Sequence, residues 1–204
     1  MQKEIIVITG AAQRVGLALA LDLQQAGYQV VASYRSMRPG LEQLQAAGVM
    51  TLQCDLTDLP SLANFISQLQ TLGPLRALIH NASDWRKDPP AQHQSLLQQL
   101  EAEAASFDYL QQVHARAPYL LNRALLPQLQ QSEQADIIQL SDFALLMFNA
   151  GDGEEYKQHA LQKSLLQTEP GAEEVVKAVN YILSSRYLTG RVLALDGGRH
   201  LNLP

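Results

Sequence analysis

A glycine-containing turn follows the first apolar run of the chain and reads Thr9-Gly10-Ala11-Ala12-Gln13-Arg14-Val15-Gly16. Glycines permit a tight bend and a close approach of a ligand to the backbone, and the N-terminus of a following helix offers unpaired N–H groups and the positive end of its dipole. An ordinary strand-to-helix turn has a similar composition, but the position directly after the first strand favours a dinucleotide phosphate site. We therefore expect phosphate contacts from Gly10, Gln13, Arg14, Val15 and Gly16.

The end of the second apolar run indicates which dinucleotide is bound. Folds that bind NAD usually place Asp or Glu there, about 20 residues after the glycines, to hold the ribose 2′-hydroxyl. This chain has Ser33-Tyr34-Arg35-Ser36 instead. Arginine and hydroxyl side chains attract a 2′-phosphate that an acid would repel. We therefore predict that Arg14 and Arg35 converge on the 2′-phosphate of NADPH, beside the other three residues of this tetrapeptide.

The composition is that of a globular protein with a single domain. Hydrophobic residues make up 47% of the 204 residues and charged residues 17%, which allows a sizeable core. The net charge of −5 and the lack of long basic runs disfavour binding to nucleic acid or to a membrane surface. No apolar stretch approaches the roughly 18 residues of a membrane span. The single cysteine, Cys54, fits a reducing compartment, so we expect a cytoplasmic protein, and we expect no metal site.

Short β-branched runs alternate with longer helical ones along the chain. This alternation predicts an α/β fold with a parallel, doubly wound sheet between two layers of helices, a Rossmann fold that spans residues 1–204. Strands are expected at residues 5–9, 29–34, 50–56, 75–79, 136–140 and 191–195. Helices are expected at residues 14–26, 41–47, 59–72, 103–130 and 173–184, with a loop at 83–95 and a kink at Pro118.

Polar motifs at the ends of successive strands strengthen this interpretation. Asp55-Leu56 ends the third strand, His80-Asn81-Ala82-Ser83 the fourth and Ser141-Asp142 the fifth, and Asp196-Gly197-Gly198 follows the last. With the arginine-containing turn, these motifs resemble the short-chain dehydrogenase/reductase family, and its pteridine reductase branch in particular. The resemblance implies that Asp55 and Leu56 contact adenine and that Asn81, Ala82 and Ser83 lie beside the cofactor.

These residues also have purely structural interpretations. Asp55 could cap the next helix, as Thr57 could, and Asn81 could satisfy backbone groups at a turn. Cys54 is expected to be a small core residue.

Two residues are expected to take part in catalysis because of the resemblance. His114 begins a segment that resembles the helix carrying the family's active-site Asn, and it replaces that Asn. Asp142 stands where pteridine reductases carry Asp in place of the catalytic Ser of most of the family. As alternatives, His114 could be a core or surface histidine, and Asp142 could cap a helix.

The family's catalytic pair, Tyr-x-x-x-Lys, is absent from the 204 residues. Asp142 and Asp196 are only 54 positions apart, whereas the resemblance implies a long helix, a sixth strand and a substrate loop between them. An apparent junction therefore lies near residues 144–145. It reflects either a true deletion or a sequence that omits a segment and is numbered across it. The cost of removing a strand from a buried sheet favours the second explanation.

Two functions remain open. The first is an NADPH-dependent reductase of a dihydropterin-type substrate, such as dihydromonapterin, dihydrobiopterin or a dihydrofolate-like compound. The second is a non-catalytic NADPH-binding or regulatory protein that has lost the catalytic helix. Trp85, Met147, Phe148 and Tyr156 are candidates for the wall or lid of a substrate pocket, and equally for ordinary packing. The resemblance also implies a homo-oligomer, either a tetramer or a dimer.

Overall fold

The computed structural model describes residues 3–85, 95–141 and 153–201. The chain divides into two compact units, residues 1–139 and residues 140–204. The predicted junction near residues 144–145 lies outside the described residues, so a single domain over residues 1–204 stays a prediction.

The first unit is built on a five-stranded sheet in the order β3-β2-β1-β4-β5, with every neighbouring pair parallel. The strands are β1 (Ile5–Ile8), β2 (Gln29–Tyr34), β3 (Met50–Gln53), β4 (Leu75–His80) and β5 (Asp136–Gln139). All residues of β1 and β4 are buried. For β1 this agrees with its continuous apolar run, which suits a strand covered on both faces, whereas β4 also buries Arg76 and His80. The predicted doubly wound α/β fold is confirmed.

Among the described residues, the α-helices of this unit are α1 (Arg14–Gln25), α2 (Gly40–Ala46), α3 (Leu59–Gln70), α4 (Leu96–Gln111) and α5 (Ala117–Leu129). Phe65 of α3 and Leu121 of α5 pack with Val7 and Leu78 of the sheet in one hydrophobic core. Helix α1 packs on β2 and against α2.

The predicted long helix at residues 103–130 begins earlier than expected and is interrupted. Helix α4 starts after Ser95, which forms a capping box with Gln98. A π-helical turn, Gln112–Arg116, then separates α4 from α5. Pro118 lies at the start of α5, where a missing backbone N–H does least harm. The π-helical turn thus ends before Pro118, and the kink predicted at Pro118 itself stays a prediction.

The second unit contains α6 (Glu154–Leu161), α7 (Ala172–Ser184) and a 3₁₀ turn (Arg199–Leu201). Helix α7 was predicted at residues 173–184, and it buries Val175, Val179 and Leu183 on one face. The strand predicted at residues 191–195 is wrong, because these residues form no strand. A strand exists only through hydrogen bonds to a neighbour. Among the described residues, no strand pairs with this segment.

The position where the strand order reverses defines where a ligand can bind. Chain progression moves outward from β1 through β2 to β3 on one side and restarts at β4 on the other. In open α/β sheets, such a reversal leaves a crevice outside the carboxyl ends of the two central strands. The candidate site is therefore expected at the ends of β1 and β4. In the parts of the chain that the structure describes, no helix is long and apolar enough to cross a membrane.

Candidate functional site

The turn after β1 is tied to the second strand. The backbone N–H of Gly10 donates to the hydroxyl oxygen of Ser33 at 3.2 Å, and that of Ala11 donates to the Ser33 carbonyl at 2.9 Å. Ser33 is buried, so this hydroxyl supports the turn from within. The prediction that Ser33 flanks the 2′-phosphate therefore competes with a structural role that the structure records.

Asn81 joins the same turn to the end of β4. Its side-chain amide donates to the carbonyls of Thr9 and Gly10 at 3.0 and 2.8 Å, and the Thr9 hydroxyl accepts from the backbone of Asn81 and Ala82. These bonds match the alternative in which Asn81 satisfies backbone groups. Because Asn81 also crowds Gly16, a Cβ at that glycine would have no room.

The N-terminus of α1 keeps donors available for an anion. Gln13 is the N-cap residue, and its side chain makes no capping hydrogen bond. The first N–H groups of a helix have no partner within the helix and attract phosphate. Arg14 occupies the next position with a φ of 54°, in the left-handed region that favours glycine, and it is exposed. The backbone conformation expected of a glycine at this turn is thus present although the residue is arginine.

A cleft lies beside this turn. Ten of the residues that we predicted to bind the cofactor line it: Gly10, Gln13, Ser33, Tyr34, Arg35, Ser36, Asp55, Leu56, Ala82 and Ser83. Arg14, Val15, Gly16 and Asn81 are not among its lining residues. Six further residues line it that the sequence reasoning did not assign to the cofactor: Ala12, Arg38, Cys54, Thr57, Asp84 and Val113. The ends of β1, β2, β3 and β4 thus all contribute to one cleft.

Arg35 lies in the cleft and is held by two side chains. Its Nη1 donates to the Asp84 carboxylate and to the Tyr109 hydroxyl, each at 2.8 Å, and the Tyr109 hydroxyl donates to the same carboxylate oxygen at 2.6 Å. Burial opposes ionisation of Asp84, but the hydrogen bonds from Tyr109 and Arg35 outweigh it and lower the pKa of this carboxyl. The hydrogen bond to Asp84 in turn raises the pKa of Arg35. Both groups are therefore charged at neutral pH.

Asp55 forms a local turn at the end of β3. Its Oδ1 accepts from the backbone N–H of Thr57 at 2.9 Å and from the Thr57 hydroxyl at 2.7 Å. The N-cap of α3 is Asp58, which accepts from Ser61, so neither Asp55 nor Thr57 is the cap. Cys54 is buried, and burial raises the pKa of its thiol to about 11, which agrees with the core residue that we expected.

The structure describes only one of the two candidate catalytic residues. His114 lies in the π-helical turn, exposed, with Nε2 at 3.1 Å from the backbone carbonyl oxygen of Asp84. Asp142 lies outside the described residues, as do Met147 and Phe148. Trp85 is 74% exposed and Tyr156 is 62% exposed, and Tyr156 belongs to α6 in the second unit.

Sequence reasoning missed Asp84 and Tyr109 as neighbours of Arg35. Asp84 directly follows the motif at the end of β4, so its position next to Ser83 was an available signal. Tyr109 had none, because it lies 74 positions from Arg35 and reaches it only through the placement of α4.

Comparisons with known proteins agree with this architecture. A family model described as short chain dehydrogenase matches residues 4–152. The chain is 34% identical to a dihydromonapterin reductase of Klebsiella pneumoniae, with 98% of each chain covered, and 32% identical to one of Citrobacter koseri, with 96% of each covered. The Klebsiella alignment spans 244 positions, which is 40 more than the 204 residues of this chain. At least that many positions of the alignment therefore face gaps in this chain.

Solved structures share the fold at low sequence identity. A short-chain dehydrogenase/reductase double mutant of Serratia marcescens superposes with a TM-score of 0.75 at 17% identity, covering 97% of this chain and 98% of that one. An NADPH-dependent reductase involved in bacilysin biosynthesis gives a TM-score of 0.76 at 16% identity, with the same coverage.

Proposed function

The chain belongs to the short-chain dehydrogenase family, and we propose that it is an NADPH-dependent reductase of a dihydropterin. Membership of this family makes it an oxidoreductase. The observation that carries the choice of cofactor is the Arg35 guanidinium in the cleft at the end of β2. An acidic residue at this position would favour NADH, whereas arginine suits a 2′-phosphate.

The residues around the cleft fit a dinucleotide. Gly10 has a φ of 68° and so little space that a side chain would collide with the backbone of Ala82, so this turn requires a glycine beside the cleft. The uncapped start of α1, with Gln13, Arg14, Val15 and Gly16, offers N–H groups to the phosphates. We assign Asp55 and Leu56 to the adenine, and Asn81, Ala82 and Ser83 to the side of the bound nucleotide.

The proposed reaction is reduction of a C=N bond in the pterin ring. Bound NADPH would be the source of hydride for the carbon of this bond, and the protein must bring a proton to its nitrogen. We assign Asp142 to this proton path and His114 to the place of the family's active-site Asn. Both roles rest on the sequence motifs. The family's Tyr-x-x-x-Lys pair is not in the 204 residues, so neither of its members is assigned a role.

The substrate class is inferred from the relatives. Two proteins named dihydromonapterin reductase match this chain at 34% and 32% identity over nearly its whole length. We therefore propose dihydromonapterin or a similar dihydropterin as the substrate.

The proposed assembly is a homo-oligomer in the cytoplasm, a tetramer or a dimer. Helix α4 supports this, because none of its residues is buried and it exposes four large apolar side chains. These are Leu96, Leu97, Leu100 and Phe107.

A second function is favoured by one specific observation, the missing catalytic pair. If the 204 residues are the whole protein, then it binds NADPH without reducing a substrate. The mass of the protein purified from its natural source separates the two cases. A mass near 22.5 kDa supports the non-catalytic protein, and a mass several kDa higher restores the segment with the catalytic pair.

Turnover tests the reductase directly. NADPH oxidation is followed with the natural-source protein and dihydromonapterin, dihydrobiopterin or a generic ketone as substrate. We expect oxidation with at least one dihydropterin. Turnover with the ketone alone contradicts the pterin assignment, and NADPH binding without any turnover supports the second function.

A further inference from the structure

Arg35, Asp84 and Tyr109 form a closed set of three hydrogen bonds at the cleft. Nη1 of Arg35 donates to both partners, and the Tyr109 hydroxyl donates to the carboxylate oxygen of Asp84 that also receives Arg35. Among the described residues, the hydrogen bonds of this guanidinium therefore use one of its three nitrogens. The Nε and Nη2 edge is left for a ligand.

The remaining edge has the geometry that phosphate requires. Two parallel N–H groups of a guanidinium can bind two oxygens of one phosphate, which a single N–H cannot do. An arginine side chain has many rotamers, and binding a phosphate restricts them at a cost in conformational entropy. Holding Nη1 in advance reduces that loss, because the side chain is already ordered.

The charge of Asp84 is matched by several donors. Its Oδ2 receives Arg35 and Tyr109, and its Oδ1 receives the backbone N–H of Trp85 at 3.0 Å. A carboxylate with three donors repels a nearby phosphate less than a bare one does. The Arg35–Asp84 ion pair is itself partly exposed, with side-chain exposures of 49% and 25%, so it adds little to the stability of the fold. Its main consequence is the orientation of Arg35.

We propose that Asp84 and Tyr109 are positioning residues that hold Arg35 by Nη1, so that its other edge binds the 2′-phosphate of the nucleotide. This inference rests on the proposed binding of NADPH. It adds two residues that determine cofactor specificity through their hold on Arg35.

The opposite arrangement is physically possible and predicts the opposite change in affinity for the phosphate. Asp84 could compete with the phosphate for Arg35, so that binding requires the ion pair to break. Loss of either partner would then strengthen phosphate binding. The two arrangements are therefore distinguished by the direction of one affinity change.

The test uses two nucleotide fragments that differ only in the phosphate under discussion. Affinities of 2′,5′-ADP and 5′-AMP are measured by isothermal titration calorimetry for the full chain and for Tyr109→Phe and Asp84→Asn. We expect both variants to bind 2′,5′-ADP roughly 3- to 10-fold more weakly, as for the loss of one preordered side chain, with 5′-AMP affinity unchanged. Tyr119→Phe is the matched control, because Tyr119 is 63% exposed and does not line the cleft.

Each other outcome has a defined meaning. Unchanged or tighter binding of 2′,5′-ADP by Tyr109→Phe overturns the positioning role, and so does an equal loss of both fragments. Asp84→Asn provides an independent check, since weaker binding despite the loss of a negative charge cannot come from reduced repulsion. If the unaltered chain binds the two fragments equally well, the proposed NADPH function fails, and the positioning role fails with it.

Discussion

Gly10 and Ala82 lie so close together that a Cβ built on Gly10 would be 2.7 Å from the Cα of Ala82. The carboxyl ends of β1 and β4 therefore meet backbone against backbone. Asn81 reinforces this contact with its two side-chain bonds to the Thr9 and Gly10 carbonyls. The turn after β1 and the end of β4 thus pack main chain against main chain at the strand-order reversal, which is where open α/β sheets bind their ligands.

Replacement of Gly10 by alanine should destabilise the fold and weaken nucleotide binding. The positive φ costs an L-residue about 1–2 kcal/mol, and the collision with Ala82 adds about 1–3 kcal/mol. Gly73→Ala is the matched control, because Gly73 also has a positive φ but a Cβ added there would have no atom within 4 Å. Urea denaturation should show the larger loss for Gly10→Ala. If both variants lose the same free energy of unfolding, the close approach to Ala82 is not the reason for a glycine at position 10.

Arg14 should carry backbone strain that glycine relieves. Its φ of 54° is costly for any residue with a Cβ. Arg14→Gly and Arg14→Ala both remove the guanidinium, so they differ mainly in this strain. The glycine variant should be more stable than the alanine variant by about 1 kcal/mol in chemical denaturation. Greater stability of the alanine variant would contradict the strained conformation.

Stability should fall as the pH decreases because of His80. Burial lowers the pKa of this histidine, and the hydrogen bond with Asn122 at 2.7 Å only partly offsets the effect. The unfolded chain, with an ordinary pKa of about 6.5, then binds more protons than the folded chain below that pH. The stabilisation from neutral His80 is complete above about pH 6.5 and is lost as the pH falls below it, by at most about 1.4 kcal/mol per pH unit.

The contribution of His80 is isolated by comparing variants across the same pH range. Denaturation between about pH 7 and pH 5 should show a flatter dependence for His80→Gln than for the unaltered chain. His114→Gln serves as the control, because His114 is exposed. A His80→Gln dependence as steep as that of the unaltered chain would assign the effect to other groups.

Arg35→Asp should move cofactor preference from NADPH toward NADH. The new carboxylate repels a 2′-phosphate and can accept a hydrogen bond from a 2′-hydroxyl. We expect about 10- to 100-fold weaker NADPH binding, which corresponds to the loss of a charge-assisted hydrogen bond. The exposed Arg123 on α5 provides the control Arg123→Asp with the same change of charge. Unchanged NADPH affinity in Arg35→Asp would remove the phosphate role of Arg35.

Elements whose pattern is local were predictable from the sequence. Strand β2 was expected at residues 29–34 and is found there, because its apolar run is bounded on both sides by polar or turn-forming residues. Residues 191–195 have a similar composition, yet they form no strand, and Val192 is 95% exposed. The composition of a segment indicates that it could form a strand. Whether it does so depends on a neighbouring strand to which it can hydrogen-bond.

The sequence predicts which residues lie at the site better than it predicts which of them contact one another. The positions of Gly10, Arg35 and Asp55 at strand ends follow from the order of the sheet. The use of Ser33 and Asn81 as supports for the turn does not, because it depends on how closely β1, β2 and β4 approach one another. The pairing of Arg35 with Tyr109 depends in the same way on the placement of α4.

The preference for NADPH over NADH is the central claim, and equilibrium binding of the two cofactors to the unaltered chain tests it most directly. Isothermal titration calorimetry at one fixed ionic strength avoids any need for turnover. We predict that NADPH binds at least about tenfold more tightly, since one added phosphate gains a charge-assisted contact with Arg35. Equal affinities, or tighter binding of NADH, would contradict this preference.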